Sequence, residues 1–404
     1  MRNFALLACA IYCINGFGHI IIGTILEPMV DHYGIAYGDG GQLIMNQFLG
    51  FLFGVLMAPF IVNLLGRKMT VMVALFLFMF SQFMIGILPN WSILLYSVPF
   101  GGAGIGILET IIAALIIGHL KEKKASILVL TEVFFGVGAL LIPVISAFFI
   151  MTGTWNGSFY VVAVVTFITI VMWLVLPFGE LNTVLKKEPK QKLVGRKKQQ
   201  RKRYTSKQMP IIIAGAFFFF MYVGTEMVLP NFLPTILSIT TTLSASALAL
   251  SITVFWGAMT IGRLCMTFII DRIGYGKLFV ICCFGQLFSF IIFAVSPTEI
   301  IGFIAIFLSG LLMGGIFSIG LLIVNENFVG LEEWTTSLLV AMGGLGGAFL
   351  PKIAGVLIDR YTIGVTLWSL VLCAFVLVCL MGIIFYYKNR HTIKSDEYVT
   401  SQSS

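Results

Sequence analysis

The sequence predicts an all-α membrane protein of twelve transmembrane helices in two pseudo-symmetric six-helix halves, with both termini cytoplasmic. Three observations predict it. Only 10% of the 404 residues are charged, 59% are hydrophobic, and the mean hydropathy is +1.03. A soluble domain carries about 25% charge, so this chain could not cover a water-facing surface. Apolar windows long enough to cross a bilayer recur along the whole chain. A pattern of small residues in the first half returns in the second at a fixed offset. Disorder, collagen, a disulfide-stapled mini-protein and a cytosolic enzyme are excluded at this stage.

The spans are expected near 4–30, 42–65, 69–88, 92–118, 126–150, 158–177, 209–237, 243–270, 277–295, 300–324, 335–358 and 364–387. Leu6-Leu7-Ala8-Cys9 loosely resembles a lipoprotein cleavage box. The apolar run before it is too short for a signal peptide and hydrophobicity continues to Met29, so the N-terminus reads as an uncleaved first span. A β-barrel would show short alternating segments instead of 20-residue apolar runs. The seven cysteines all fall in apolar stretches without CxxC or Cys/His ligand spacing, and read as core residues. No metal and no cofactor is expected.

Charge sets the orientation. The stretch 178–208 holds eleven Lys/Arg and two Glu, which accounts for nearly all of the net charge of +8. It reads as a solvated cytoplasmic linker beside anionic lipid. Nucleic acid is not an expected partner, since no aromatics accompany the basic residues. With both termini inside, 22 Lys/Arg lie on the cytoplasmic side and Arg360 alone lies outside; Lys/Arg bias of this kind fixes topology. Loop 326–334 runs against the trend, with Glu326, Glu332 and Glu333. The organisation is then 1–177, a first half; 178–208, the basic linker; 209–387, a second half; and 388–404, a cytoplasmic tail.

The repeat has an offset of 208 residues: Gly54 with Gly262, Asn63 with Asp271, Gly66 with Gly274, Gly102 with Gly310, Gly106 with Gly314, Gly138 with Gly346 and Pro143 with Pro351. Two such halves around a midplane cavity are the architecture of an alternating-access carrier. Gly102 and Gly106 form a GxxxG, which brings helix backbones together in lipid. A phosphate-binding reading of Gly102–Gly106 or Gly343–Gly347 fails, because no strand precedes either.

Carboxylates inside spans are costly and therefore functional candidates. Glu109 shares a face of span 4 with Gly102, Gly106 and Ala113, which points it into the bundle. Glu226 lies past the middle of span 7, and Glu132 early in span 5. A desolvated carboxyl can load a proton from one side and release it to the other, so Glu109, Glu226 and, less directly, His19 are the proton-coupling candidates. Amides and aromatics near the midplane suit a neutral polyhydroxylated ligand: Asn46, Gln47, Glu109, Tyr222, Asn231 and Trp256 are the substrate-binding set. For each amide, an interhelical hydrogen bond is the competing explanation. Arg263, eight residues before Asp271, reads as a brace of the inner gate; Lys352 either snorkels or pairs.

Asp271-Arg272-Ile273-Gly274 resembles the loop 8–9 signature of the major facilitator superfamily, and Asn63-Leu64-Leu65-Gly66-Arg67-Lys68 its degraded copy in loop 2–3. The gating candidates are accordingly Asn63, Arg67, Arg263, Asp271 and Arg272. Within the superfamily the chain is similar to the fucose/glucose/galactose–proton symporter family, on its glucose/mannose side. The residues that carry this are Gln47-Phe48 to Gly54 with Ala58-Pro59; Leu108-Glu109-Thr110; Gly136 to Pro143; Tyr222 to Glu226 with Asn231-Phe232-Leu233-Pro234; and Phe255-Trp256 with Gly262-Arg263. The resemblance implies a role for Glu109 in sugar recognition and proton coupling. The Asn-Asp pair of the fucose branch is Gly23-Thr24 here, which argues against fucose. The expected function is proton-coupled hexose uptake by a monomer in the plasma membrane of a bacterium, with sodium as the other candidate ion. The alternative is a proton-driven exporter of a drug or metabolite. Residues 138–147 lack the Gly-Pro and Gly-Gly steps of drug antiporters, which favours uptake.

Overall fold

The computed structural model describes residues 2–119, 124–178, 185, 204–205, 208–295, 298–328 and 331–402. Most of the basic linker therefore lies outside the described residues, as do Lys121, Lys123 and the side chains of Asp271, Glu332 and Glu333. Thirteen helices and no strand are present among the described residues: α1 Arg2–Thr24, α2 Leu26–Tyr33, α3 Tyr37–Leu65, α4 Arg67–Gly86, α5 Trp91–His119, α6 Lys124–Met151, α7 Gly157–Val175, α8 Met209–Thr240, α9 Ala245–Ile273, α10 Tyr275–Val295, α11 Glu299–Asn325, α12 Glu332–Arg360 and α13 Ile363–Gln402. All but α2 are long and apolar enough to cross a membrane, giving the twelve expected spans.

Three boundaries differ clearly from expectation. The first span breaks at Ile25 (φ −117°, ψ 14°) instead of running to residue 30. There the Thr24 hydroxyl donates to the Ile21 carbonyl and competes with the helix ladder. A side chain on Gly23 would meet the Pro230 carbonyl oxygen at 2.5 Å, so α8 crosses the helix at this point. The second span starts at Tyr37, not 42, because the Asp39 carboxylate accepts from the Ala36 amide and caps the helix. The last helix runs past residue 387 to Gln402, through the expected tail.

The repeat is visible as repeated contacts. In the first half α3 packs on α5, α1 on α6, and α4 on α5 and α7; in the second, α9 packs on α11, α8 on α12, and α10 on α11 and α13. The agreement extends to residues. A side chain on Gly54 would collide with the Ala103 carbonyl, and one on Gly262 with that of Leu311; Gly102 faces the Gln47 carbonyl and Gly310 that of Phe255; Gly106 faces Phe51 and Gly314 faces Met259. Each partner in the second half lies 208 residues after its counterpart. Gly66 and Gly274 end their helices at matching positive φ of 81° and 84°, a conformation that favours glycine.

Between the halves, α3 meets α12, α6 meets α9 and α1 meets α8. The bundle has a terminal end, which carries both chain termini, and a loop end, which carries residues 34–36, 152–156, 241–244 and 361–362. At the terminal end, Glu326 pairs with Lys388 at 2.5 Å and accepts from the Tyr275 hydroxyl. One of the acids that ran against the charge rule is therefore compensated by a neighbouring cation.

Candidate functional site

Two layers cross the seam between the halves. The first is aromatic. His19 on α1 lies 5.4–5.6 Å, ring centre to ring centre, from Phe48 and Phe51 of α3 and Phe135 of α6. Phe135 in turn meets Trp256 of α9 edge-on at 6.0 Å. Trp256 is buried, and its indole Nε1 has no hydrogen-bond partner among the described residues.

The second layer is charged and lies nearer the terminal end. Tyr12 is seven residues from His19, Glu132 three from Phe135, and Arg263 seven from Trp256, displacements of about 5–10 Å along their helices. Arg263 Nη2 stands 3.9 Å from Glu226 Oε1. Glu132 feels the charge of Arg263 across the seam. Glu109 feels Glu132, and Tyr12 is within electrostatic range of both carboxylates. The order Glu109, Glu132, Arg263, Glu226 thus runs from the first half into the second. Glu226 is buried, while the Arg263 side chain is 39% exposed and Glu132 is exposed.

The remaining candidates scatter. Asn46 Nδ2 donates to the Leu95 carbonyl and its Oδ1 accepts from Gln42. It lines an open groove of about 830 Å³ between α3, α4 and α5. Gln47 donates to the Gly18 carbonyl. Asn231 donates to Met227 of its own helix and packs beside Gly23. Tyr222 is buried, stacks on Phe218 and gives its hydroxyl hydrogen to the Met313 carbonyl of α11. Of the gating candidates, Asn63 and Arg272 are exposed at the terminal end and Arg67 is half-buried there; the side chain of Asp271 lies outside the described residues.

The loop end is closed. Asp359 of α12 accepts from the Tyr37 and Gly38 amides of α3 at 2.8 and 2.6 Å, and Lys352 Nζ donates to the Gly38 carbonyl at 2.7 Å. Lys352 therefore pairs across the seam. The Tyr37 hydroxyl donates to Glu27 of α2. Burial pushes the Glu27 carboxyl up, against the hydrogen bond from Tyr37. Sequence reasoning did not select Asp359, Glu27 or the Glu132–Arg263 relation. Glu132 and Arg263 carried a signal as intramembrane charges; Asp359, at a helix end, carried none.

The family model of the Major Facilitator Superfamily matches residues 8–330 and 218–397. The chain belongs to the major facilitator superfamily. It is a multi-pass membrane protein of a transporter family, not an enzyme. The glucose/mannose transporter GlcP of Bacillus subtilis (strain 168) is 27% identical over 389 residues, which is 94% of each chain. Among solved structures, a D-xylose–proton symporter superposes with a TM-score of 0.76 at 13% identity, covering 94% of this chain and 97% of its own. The nucleoside transporter NupG gives 0.72 at 14%, covering 95% and 98%. At such identities these structures speak to the fold.

Proposed function

We propose that the protein imports a hexose of the glucose/mannose class together with a proton, by alternating access, in the plasma membrane. One observation carries this reading: similarity to a glucose/mannose transporter along 94% of both chains. The geometry is consistent with it. The aromatic layer offers ring faces to the C–H face of a pyranose and a buried indole N–H to a hydroxyl. The charged layer offers carboxylates that exchange protons as a coupled set. Glu109 carries the proton, Glu132 and Arg263 pass the charge change across the seam, and Glu226 holds Arg263 in place.

The terminal end faces the cytoplasm by the Lys/Arg bias. Exposed Glu132 and half-exposed Arg263 sit at the seam below a closed loop end, the pattern of a carrier open to the cytoplasm. Of the earlier substrate set, Trp256 and Glu109 keep their place, joined by His19 and Phe135. Tyr222, Asn46 and Asn231 act as packing groups.

The test is uptake of radiolabelled glucose into proteoliposomes under an inward proton gradient, with a protonophore control. Protonophore-sensitive accumulation competed by mannose is the expected result. Accumulation that follows a sodium gradient instead would replace the ion, and no uptake by an active preparation would remove the hexose. Trp256→Phe, which keeps the ring and loses the N–H, should raise KM about tenfold, the worth of one hydrogen bond.

A further inference from the structure

We infer that Asp359 and Lys352 form the latch that holds the loop-end gate shut, gripping the backbone at the start of α3 from the opposite half. The inference rests on the alternating-access reading and is independent of which solute is carried. Both Asp359 oxygens are engaged, one by each of the first two amides of α3. These amides have no partner within their own helix, and they form the positive end of its dipole. Lys352 takes the Gly38 carbonyl in the same place. The carboxylate and the ammonium of one helix therefore hold a donor pair and an acceptor of the other.

The surrounding packing is built for this contact. A side chain on Gly355 would meet the Tyr37 carbonyl oxygen at 2.5 Å, and one on Gly41 would meet the Lys352 backbone at 2.9 Å. Two glycines let α3 and α12 approach where the latch closes. Glu27 fixes the Tyr37 ring from the near side, so the gripped residue is held at both backbone and side chain. Asp359 is exposed. When the halves part, its oxygens can exchange amides for water, so the bonds are strong enough to bias the gate and weak enough to release it.

Pulsed electron paramagnetic resonance tests this without any sugar. Spin labels at Ala36 and Thr362 report the loop end, and a second pair at Leu64 and Ile273 reports the terminal end, in a background with the seven cysteines replaced by alanine. Asp359→Ala should raise the loop-end-open population about tenfold and shorten the terminal-end distances in step. Asp359→Asn, nearly isosteric and retaining one acceptor oxygen, should give a smaller shift in the same direction, as should Lys352→Met. A residue that merely capped α3 would alter thermal stability without this reciprocal change. Unchanged distributions at both ends in monodisperse Asp359→Ala or Asp359→Asn protein would overturn the latch. Loss of glucose uptake in the unmodified protein would leave it standing.

Discussion

Gly102 and Gly310 stand at equivalent positions in the two halves and admit the equivalent carbonyl of a neighbouring helix. Glu109, two turns further along the same helix as Gly102, has Phe317 as its equivalent. The pattern holds for the whole charged layer. Glu132 corresponds to Val340, Arg263 to Val55, and Glu226 to Gly18, whereas Trp256 corresponds to another aromatic, Phe48. The repeat has preserved the small residues that set helix approach. It has not preserved charge. A symmetric scaffold with an asymmetric charge set gives two carboxylates to one half and a carboxylate–arginine pair to the other, so a proton gained on one side changes the attraction across the seam.

Arg263 is where this asymmetry is most exposed to test. Arg263→Gln leaves buried Glu226 without its cation, and removing one partner of a buried pair costs several kcal/mol, reduced here by the exposure of the guanidinium. Uptake should fall about 100-fold, and the melting temperature should drop with it. Adding Glu226→Gln should restore the melting temperature and not the uptake. Uptake surviving in the single variant would remove Arg263 from the relay.

Glu109→Gln should abolish accumulation against a gradient while leaving counterflow exchange within about threefold. Sugar counterflow and gradient-driven uptake measured on the same vesicles separate the two. Active accumulation in this variant would transfer the coupling role to another carboxylate. The scaffold is probed by Gly102→Ala and Gly310→Ala. Each overpacks an equivalent crossing, so both should lose about 1–3 kcal/mol, read as a lower unfolding temperature. A loss confined to one half would show that the repeated contact is not energetically repeated. The smallest effect is expected from Tyr222→Phe, which removes the hydroxyl's hydrogen bond to the Met313 carbonyl, for about 1 kcal/mol of stability with KM unchanged. A KM rise there would return Tyr222 to the binding site.

Much of the fold was legible, because its signals are local and cumulative. Twelve apolar runs, the basic stretch 178–208 and the glycine register need no tertiary knowledge. The break at Ile25 was not legible, since it depends on where α8 crosses. The site was half legible. Intramembrane carboxylates announce themselves by cost, so Glu109, Glu226 and Glu132 could be named in advance. Amides do not, because Gln47, Asn46 and Asn231 look the same in sequence whether they face a ligand or a carbonyl. Lys352 was ambiguous for the same reason: its acceptor is a main-chain oxygen on a helix more than 300 residues away.

The grip of Asp359 on α3 has an evolutionary corollary. It reads main-chain amides, which every residue except proline supplies at positions 37 and 38. A change of side chain at 37 can therefore proceed without a compensating change at 359, whereas a side chain at Gly38 would meet Asp359 Oδ2 at 2.8 Å. Paired substitutions, the usual trace of a contact between distant segments, would be missing where the two halves are most directly tied. A survey of related sequences would find an acidic residue at 359 facing a persistent glycine at 38 and, at 37, a side chain that answers to 27 and not to 359.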